Sequence, residues 1–346
     1  MFETLNHSIS EIAVHQVGNK MNNEALLLSK SKLLLNEELH DSLVTYFSAP
    51  FRSIEFFNLN HPSDLNLNEV YNYISQIFHH PEGLFIQSIN LAKHLYECCN
   101  HPKIKSGEFY TVYFKDCFIN GETLDAVGLF KSENKDVFLQ VDNKGATIGL
   151  TAEKGININK LDKGCIIYNT EKEKGYLVAA IDNTNKGSEA QYWMDDFLHL
   201  LHRKDEYYNT KNVLSMCKGF ITEALPNQFE VSKAEQADLL NKSVQFFKER
   251  ENFDLQEFSN EIMHQPEVVA SFNEYKNNFQ IERDIEIVDG FAISESAVKK
   301  QARIFKSVLK LDKNFHVYIH GNKNLIEKGV DPDGRKFYKL YFNEEN

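Results

Sequence analysis

The 346-residue chain has no C-x-x-C pair, no long apolar run and no phosphate-binding loop, and each absence closes off a class of function. The five cysteines (Cys98, Cys99, Cys117, Cys165, Cys217) are odd in number and do not space as a disulfide framework, which suits a reducing compartment. The opening MFETLNHSIS lacks a basic n-region and an apolar h-region, so no secretory signal is expected and the expected location is the cytoplasm. The longest apolar run of interest, YLVAAI, is six residues, far short of the ~20 needed to span a bilayer. The patterns G-x-x-x-x-G-K-[ST], G-x-G-x-x-G and G-x-S-x-G are missing. Thirteen histidines make chance His–Asp and His–Cys neighbours inevitable, so no catalytic dyad stands out. There is no repeat of fixed period and no low-complexity segment. The expectation is a non-enzymatic protein that needs no cofactor.

Positive charge is also short overall: 38 basic side chains against 50 acidic ones give a formal charge of −12. Such a balance favours solubility and repels polyanions at long range, so nucleic-acid binding would require a concentrated basic patch. What the chain does have is an ordinary globular composition, 42% hydrophobic and 25% charged, with 26 Phe and 15 Tyr to fill a core. Its length favours two domains.

ISEIAVHQV alternates as a strand, and EALLLSKSKLLL reads as a second one. Asn36 caps a helix whose first turn carries Glu37 and Glu38, and two more helices follow over about 68–79 and 84–99. From Gly107 the period becomes two, with Asn120-Gly121 as a hairpin turn, and the pattern predicts an antiparallel meander across 107–182. The polar DNTNKGS then marks a boundary, followed by about ninety helical residues. Here Ser188 with Gln191, Ser232 with Glu235, and Asp254 with Glu257 have capping-box spacing or its Asp equivalent, and Pro266 suits a first helical turn. SVLKL-DKN-FHVYIHG reads as a hairpin and KFYKLYF as a last strand. The expected class is α+β: N-terminal helices with an antiparallel meander in domain 1–185, then a helical domain, 186–346, closing with a short antiparallel sheet.

Two constellations bear on chemistry. His94 and Cys98 stand four apart on a helix, with His79, His80, Cys99 and His101 nearby, a soft-ligand set that could hold zinc. The thiols lack C-x₂₋₄-C spacing, and adjacent cysteines point about 100° apart on a helix. Burial of small sulfur side chains explains them as well, and no metal is expected. The carboxylates Asp182, Glu189, Asp195 and Asp196 could hold magnesium, but as a calcium loop the segment fails, with Lys186 and Trp193 at ligand positions. A structural account has Asp182 and Asn183 ending a strand, Ser188 capping a helix, and Trp193 and Phe197 facing a core.

The strongest local departure is AVKKQARIFKSVLKLDKNFHVYIHGN, 297–322. It holds Lys299, Lys300, Arg303, Lys306, Lys310 and Lys313 against the single acid Asp312; without it the chain's charge would be −17. If 297–310 is helical, Lys299, Arg303, Lys306 and Lys310 form one stripe beside an apolar one. If the chain is extended from about 304, Lys306 and Lys310 share a face. Either arrangement gathers charge on one surface that suits phosphates. A solvated face, or a cation partner for acidic helices elsewhere in the chain, would use the same residues.

HPEGLFIQSINLAKHLYE, GEFYTVYFKDCFINGETLDAVGLFK, GYLVAAIDNTNKGSEAQYWMDDFL and FKSVLKLDKNFHVYIHGN together resemble the bacterial nucleoid-associated protein family NdpA/YejK, over Ile9 to Phe342. The resemblance implies a cytoplasmic, nucleoid-associated protein that binds double-stranded DNA, with links to chromosome organisation and type II topoisomerases. It brings no catalytic residues and no residue-level DNA site. Assigning the site to Lys299, Lys300, Arg303, Lys306, Lys310 and Lys313 rests on charge. A homodimer would pair two such patches and raise effective affinity. Two rivals remain: an interaction adaptor whose acidic surface mimics DNA, and a metal-dependent enzyme using Asp182, Glu189, Asp195 and Asp196.

Overall fold

Alternation of apolar and polar residues builds most of the first half of the chain. The computed structural model describes residues 8–51, 55–119, 121–144, 147–184, 192–303, 305, 308–311, 314–318, 325–342 and 344. It divides into two units, Met1–Arg203 and Lys204–Asn346.

The first unit opens with β1 (Ser8–Val17) and a two-residue β2 (Leu26–Leu27), followed by α1 (Glu37–Ser48), β3 (Phe56–Leu59), α2 (Glu69–His79) and α3 (Leu84–Cys98). It continues through β4 (Gly107–Ile119), β5 (Glu122–Ser132), β6 (Asp136–Lys144), β7 (Thr147–Gly155), β8 (Lys163–Tyr168), β9 (Leu177–Asp182) and β10 (Leu200–His202). Eight strands form one antiparallel sheet in the order β10-β3-β9-β8-β5-β4-β1-β2. β6 and β7 stand apart as a hairpin of their own.

The sheet is buried on both faces, which gives three layers. Phe109 and Tyr113 of β4, Val127 and Leu129 of β5 and Cys165 and Ile167 of β8 pack with Val70, Ile74, Leu91 and Leu95 of α2 and α3. The alternate residues Tyr110, Val112, Ala126, Phe130, Ile166 and Tyr168 pack with Leu43, Tyr46 and Phe47 of α1. Phe47 stacks on Phe130 with ring centroids 4.1 Å apart. The β8–β9 turn docks on β3 at Gly175 (φ +91°), whose carbonyl accepts from the Leu59 N–H at 2.8 Å. A Cβ there would stand 1.9 Å from the Leu59 oxygen, so only glycine allows the approach.

The helix starts follow the expected chemistry: the Asn36 side chain accepts from Leu39 N, and Asn68 accepts from Tyr71 N. The second N-terminal strand is much shorter than EALLLSKSKLLL suggests. Its ladder stops at Leu27, and the Ser29 N–H is taken by the His15 ring Nδ1 at 3.1 Å. The first unit also runs past the 185/186 boundary. Tyr192, Trp193, Phe197 and Leu198 lie in its core, and β10 pairs with β3, so the division falls after Arg203. Asn120 and the Ser188–Gln191 cap lie outside the described residues.

The second unit is mainly helical: α4 (Glu206–Gly219), α5 (Leu225–Gln228), α6 (Lys233–Glu249), β11 (Asn252–Asp254), α7 (Leu255–Phe258), α8 (Pro266–Arg283), β12 (Gly290–Ala292) and α9 (Glu295–Ala302). Ser232 and Glu235 close a reciprocal capping box on α6, Asp254 caps α7, and Pro266 starts α8. The core is rich in phenylalanine; Phe247 stacks on Phe253 at 5.1 Å. Two hairpins end the chain, β13 (Val308–Leu311) with β14 (Phe315–Tyr318) and β15 (Ile326–Val330) with β16 (Lys336–Leu340). Val317, Ile326 and Tyr338 pack around Ala237 of α6. The protein is therefore α+β, and among the described residues no helix is long and apolar enough to cross a membrane.

Candidate functional site

The basic stretch is split between two kinds of backbone. Ser294 caps α9, and Ala297 and Val298 anchor that helix in the second unit's core. Their neighbours Lys299 and Lys300 then fall in its last turn, exposed at the negative end of the helix dipole. Arg303 follows, also exposed. Lys299 Nζ lies 3.3 Å from Glu295 Oε2, an exposed i,i+4 pair, and Lys300 Nζ is 5.9 Å from the centroid of the Tyr207 ring. The helix ends at Ala302, so the single helical stripe from Lys299 to Lys310 does not form. Phe305 is buried, and Lys310 belongs to β13, opposite His316. Lys306 and Lys313 lie outside the described residues.

A second assembly of charge lies in the first unit. Register places Lys131 of β5 opposite Lys163 of β8, and Lys163 opposite Asp182 of β9. All three continue the inward positions of their strands, after Val127 and Leu129, before Cys165 and Ile167, and after Val178 and Ala180. Two lysines directly opposite each other repel, more so when buried. Here both are enclosed, at 0% and 2% side-chain exposure, and Glu133 and Asp182 neutralise them. Lys131 Nζ donates to the Lys105 carbonyl at 2.8 Å and to the Tyr192 hydroxyl at 3.0 Å, with Glu133 Oε1 at 3.1 Å. Lys163 Nζ meets both Asp182 oxygens at 2.7 and 2.8 Å and Thr184 Oγ1 at 2.6 Å.

The Tyr192 hydroxyl donates to Glu133 Oε1 at 2.6 Å, and both ammonium groups sit 5.2 Å from its ring centroid. Burial, with Glu133 beside it, holds the phenol well above its ordinary pKa, so it remains protonated. The network forms one wall of a cleft of about 890 Å³ at the end of the sheet. Asp162, on the same cleft, accepts from the backbone N–H groups of Glu133 and Asn134 at 2.6 and 2.8 Å. The donors of both ammonium groups are occupied and the charges balance. That arrangement holds three strands and the Tyr192 segment together; neither lysine is a poised nucleophile.

The carboxylates weighed for magnesium are placed differently from one another. Asp182 is bound at both oxygens by Lys163, and a metal would have to displace that lysine. Asp195 and Asp196 are exposed on a π-helical turn, Trp193–Phe197, whose Trp193 and Phe197 side chains are fully buried. Glu189 lies outside the described residues. The Cys/His set is likewise engaged locally. His94 Nε2 donates to the Phe197 carbonyl at 3.2 Å and the Cys98 thiol donates to the Asp196 carbonyl at 3.4 Å, tying α3 to that turn. Burial pushes the Cys98 thiol up to about 12 and raises Cys99 as well, so neither offers a thiolate at neutral pH. Among the described residues, no group of three or more His, Cys, Asp or Glu is placed to hold a metal ion.

Sequence reasoning picked out Asp182 but missed Lys131, Glu133, Lys163 and Tyr192. A signal was present: extending the period of two by one step puts both lysines on the apolar face. The family model for nucleoid-associated protein YejK matches residues 13–335, a span that takes in the buried network, Lys299, Lys300 and Arg303. The chain belongs to the YejK family of nucleoid-associated proteins. No curated protein matches it. The resemblance carried by the four quoted blocks is thus a family relationship that covers both units.

Proposed function

We propose that the protein acts at the nucleoid as a non-catalytic binder of double-stranded DNA. In this reading it holds phosphates with Lys299, Lys300, Arg303, Lys306, Lys310 and Lys313. The observation that carries it is a local charge of +5 within 297–322 in a chain that would otherwise stand at −17, with Lys299, Lys300 and Arg303 exposed around the end of α9. Family membership supports the nucleoid setting. No base-reading element enters the proposal; the contacts would position the protein on the duplex without reading sequence. Type II topoisomerases are the protein partners that the family resemblance adds, and pairing of two copies would set two patches on one duplex.

The test is duplex affinity of the whole protein across a salt series. Six phosphate contacts per protomer give a slope of log affinity against log salt of about −5, at roughly 0.9 per contact. Between about 50 and 200 mM salt, affinity then falls on the order of a thousandfold. A flat salt dependence would move the reading to the adaptor with a DNA-mimicking acidic surface.

A further inference from the structure

The β6–β7 hairpin leaves the sheet with one of its faces uncovered. Its register is Val137↔Lys154, Leu139↔Ala152, Val141↔Leu150 and Asn143↔Ile148, so these residues share a face. The other face carries Phe138, Gln140 and Asp142 opposite Glu153, Thr151 and Gly149. The hairpin is therefore amphipathic, yet the apolar side meets solvent: Val137 is 63% exposed, Leu139 71%, Val141 64%, Ile148 72% and Leu150 66%. Lys154, at the base, is the one charged side chain in that register. A lone two-stranded hairpin is marginal in water, and one that keeps its aliphatic face wet forgoes the burial that would stabilise it.

The geometry points to a second copy of the same hairpin as the cover, the two apolar faces stacking into a four-stranded sandwich between protomers. Five large aliphatic side chains exposed by about two-thirds present on the order of 500 Å², at the upper end of what a monomer leaves open. Two such faces together remove about 1,000 Å² from water, the lower bound of a specific interface. The face has no central charge to select a foreign side chain. Its aliphatic rows suit the roughly 10 Å spacing of stacked sheets. Asp136, Asp142 and Glu153 lie on the opposite side, so the acidic residues of the two copies point apart. The inference rests on the pairing of two copies proposed above and names the surface through which it occurs.

Sedimentation of the full chain at micromolar concentration tests it, comparing Leu139→Asp with Gln140→Asp. The two positions are adjacent and add the same charge, but on opposite faces. Wild type and Gln140→Asp are expected to sediment as dimers and Leu139→Asp as a monomer, with Ile148→Asp repeating that result. Circular dichroism and thermal midpoints should show the folded units intact. A monomeric wild type overturns the inference, as does a Leu139→Asp protein that remains dimeric. Duplex affinity is measured on the same proteins. If neither form bound DNA, the functional reading would fail while sedimentation still decided the pairing.

Discussion

At the scale of single residues, charge burial decides more than charge count. Lys131 and Lys163 face each other across β5 and β8, and the row is tolerable only because Glu133 and Asp182 stand beside it. Glu133→Gln keeps the side chain's shape but removes one of two compensating charges, leaving a net positive charge in a nearly solvent-free site. Breaking one partner of a buried ion pair costs about 3–5 kcal/mol. The expected result is a loss of that order in denaturant unfolding. Adding Lys131→Met should recover a large part, because the excess cation leaves with it; the coupling appears as non-additivity in a double-mutant cycle. Additive losses would mean that the two side chains act independently and that the row is not a charge network. The same site shows a limit of pattern reading. The alternation through Val127, Leu129 and Lys131 assigns the lysine to the inner face, but composition argues that a lysine belongs in water, and only the partner on another strand resolves the conflict.

At the scale of elements, local chemistry was legible and long-range closure was not. The starts of α1, α6, α7 and α8 follow directly from Asn36, Ser232, Asp254 and Pro266, whose capping acts within three residues. The pairing of β4 with β5 was readable because their alternation is strong and only two residues join them. That of β5 with β8 was not, since the meander expected across 107–182 runs from each strand to the next, whereas β6 and β7 leave the sheet as a separate hairpin. Nor was β3, since FFNL is short and its partners β9 and β10 lie more than a hundred residues away. For the same reason the domain boundary drawn at a polar segment missed the return of Tyr192–Leu198 to the first core.

Asn68 joins these two kinds of information. Its Oδ1 caps α2 at Tyr71 N, while its Nδ2 donates to the carbonyls of Asn60 and Leu198, so one buried side chain fixes a helix start and two distant loops. Asn68→Ser keeps a capping oxygen and loses the two amide donations; Asn68→Ala loses all three. Alanine should be the more destabilising by about 1 kcal/mol, the usual worth of a cap, and serine should itself cost measurably through two abandoned carbonyls. Equal losses would assign the whole effect to the loops.

At the scale of the whole molecule, the question is why an acidic chain gathers its positive charge near one end. Lys299→Glu, Arg303→Glu and Lys306→Glu together change the local charge by −6 without touching Ala297, Val298 or Phe305, the side chains that hold α9 and the following residue in the core. If the stretch meets phosphate, the triple variant should lose nearly all duplex binding, its residual salt slope should flatten, and its melting temperature should stay close to wild type. Lys299→Glu alone should weaken binding similarly on every sequence tested, because a phosphate contact carries no base information. If the cations instead serve the protein's own acidic helices, the order reverses: like charges would gather in the second unit, melting temperature would drop, and duplex affinity would hardly move. The Lys299–Glu295 pair is a small instance of that alternative. Both partners are exposed, at 75% and 83%, and such a pair contributes only about 0.3–0.5 kcal/mol. So weak a pair is too little to account for Lys299, whose loss is therefore expected to show in binding and not in stability. Measuring melting temperature and duplex affinity on the same triple variant separates the two accounts, and an unchanged affinity would remove the DNA site from this surface.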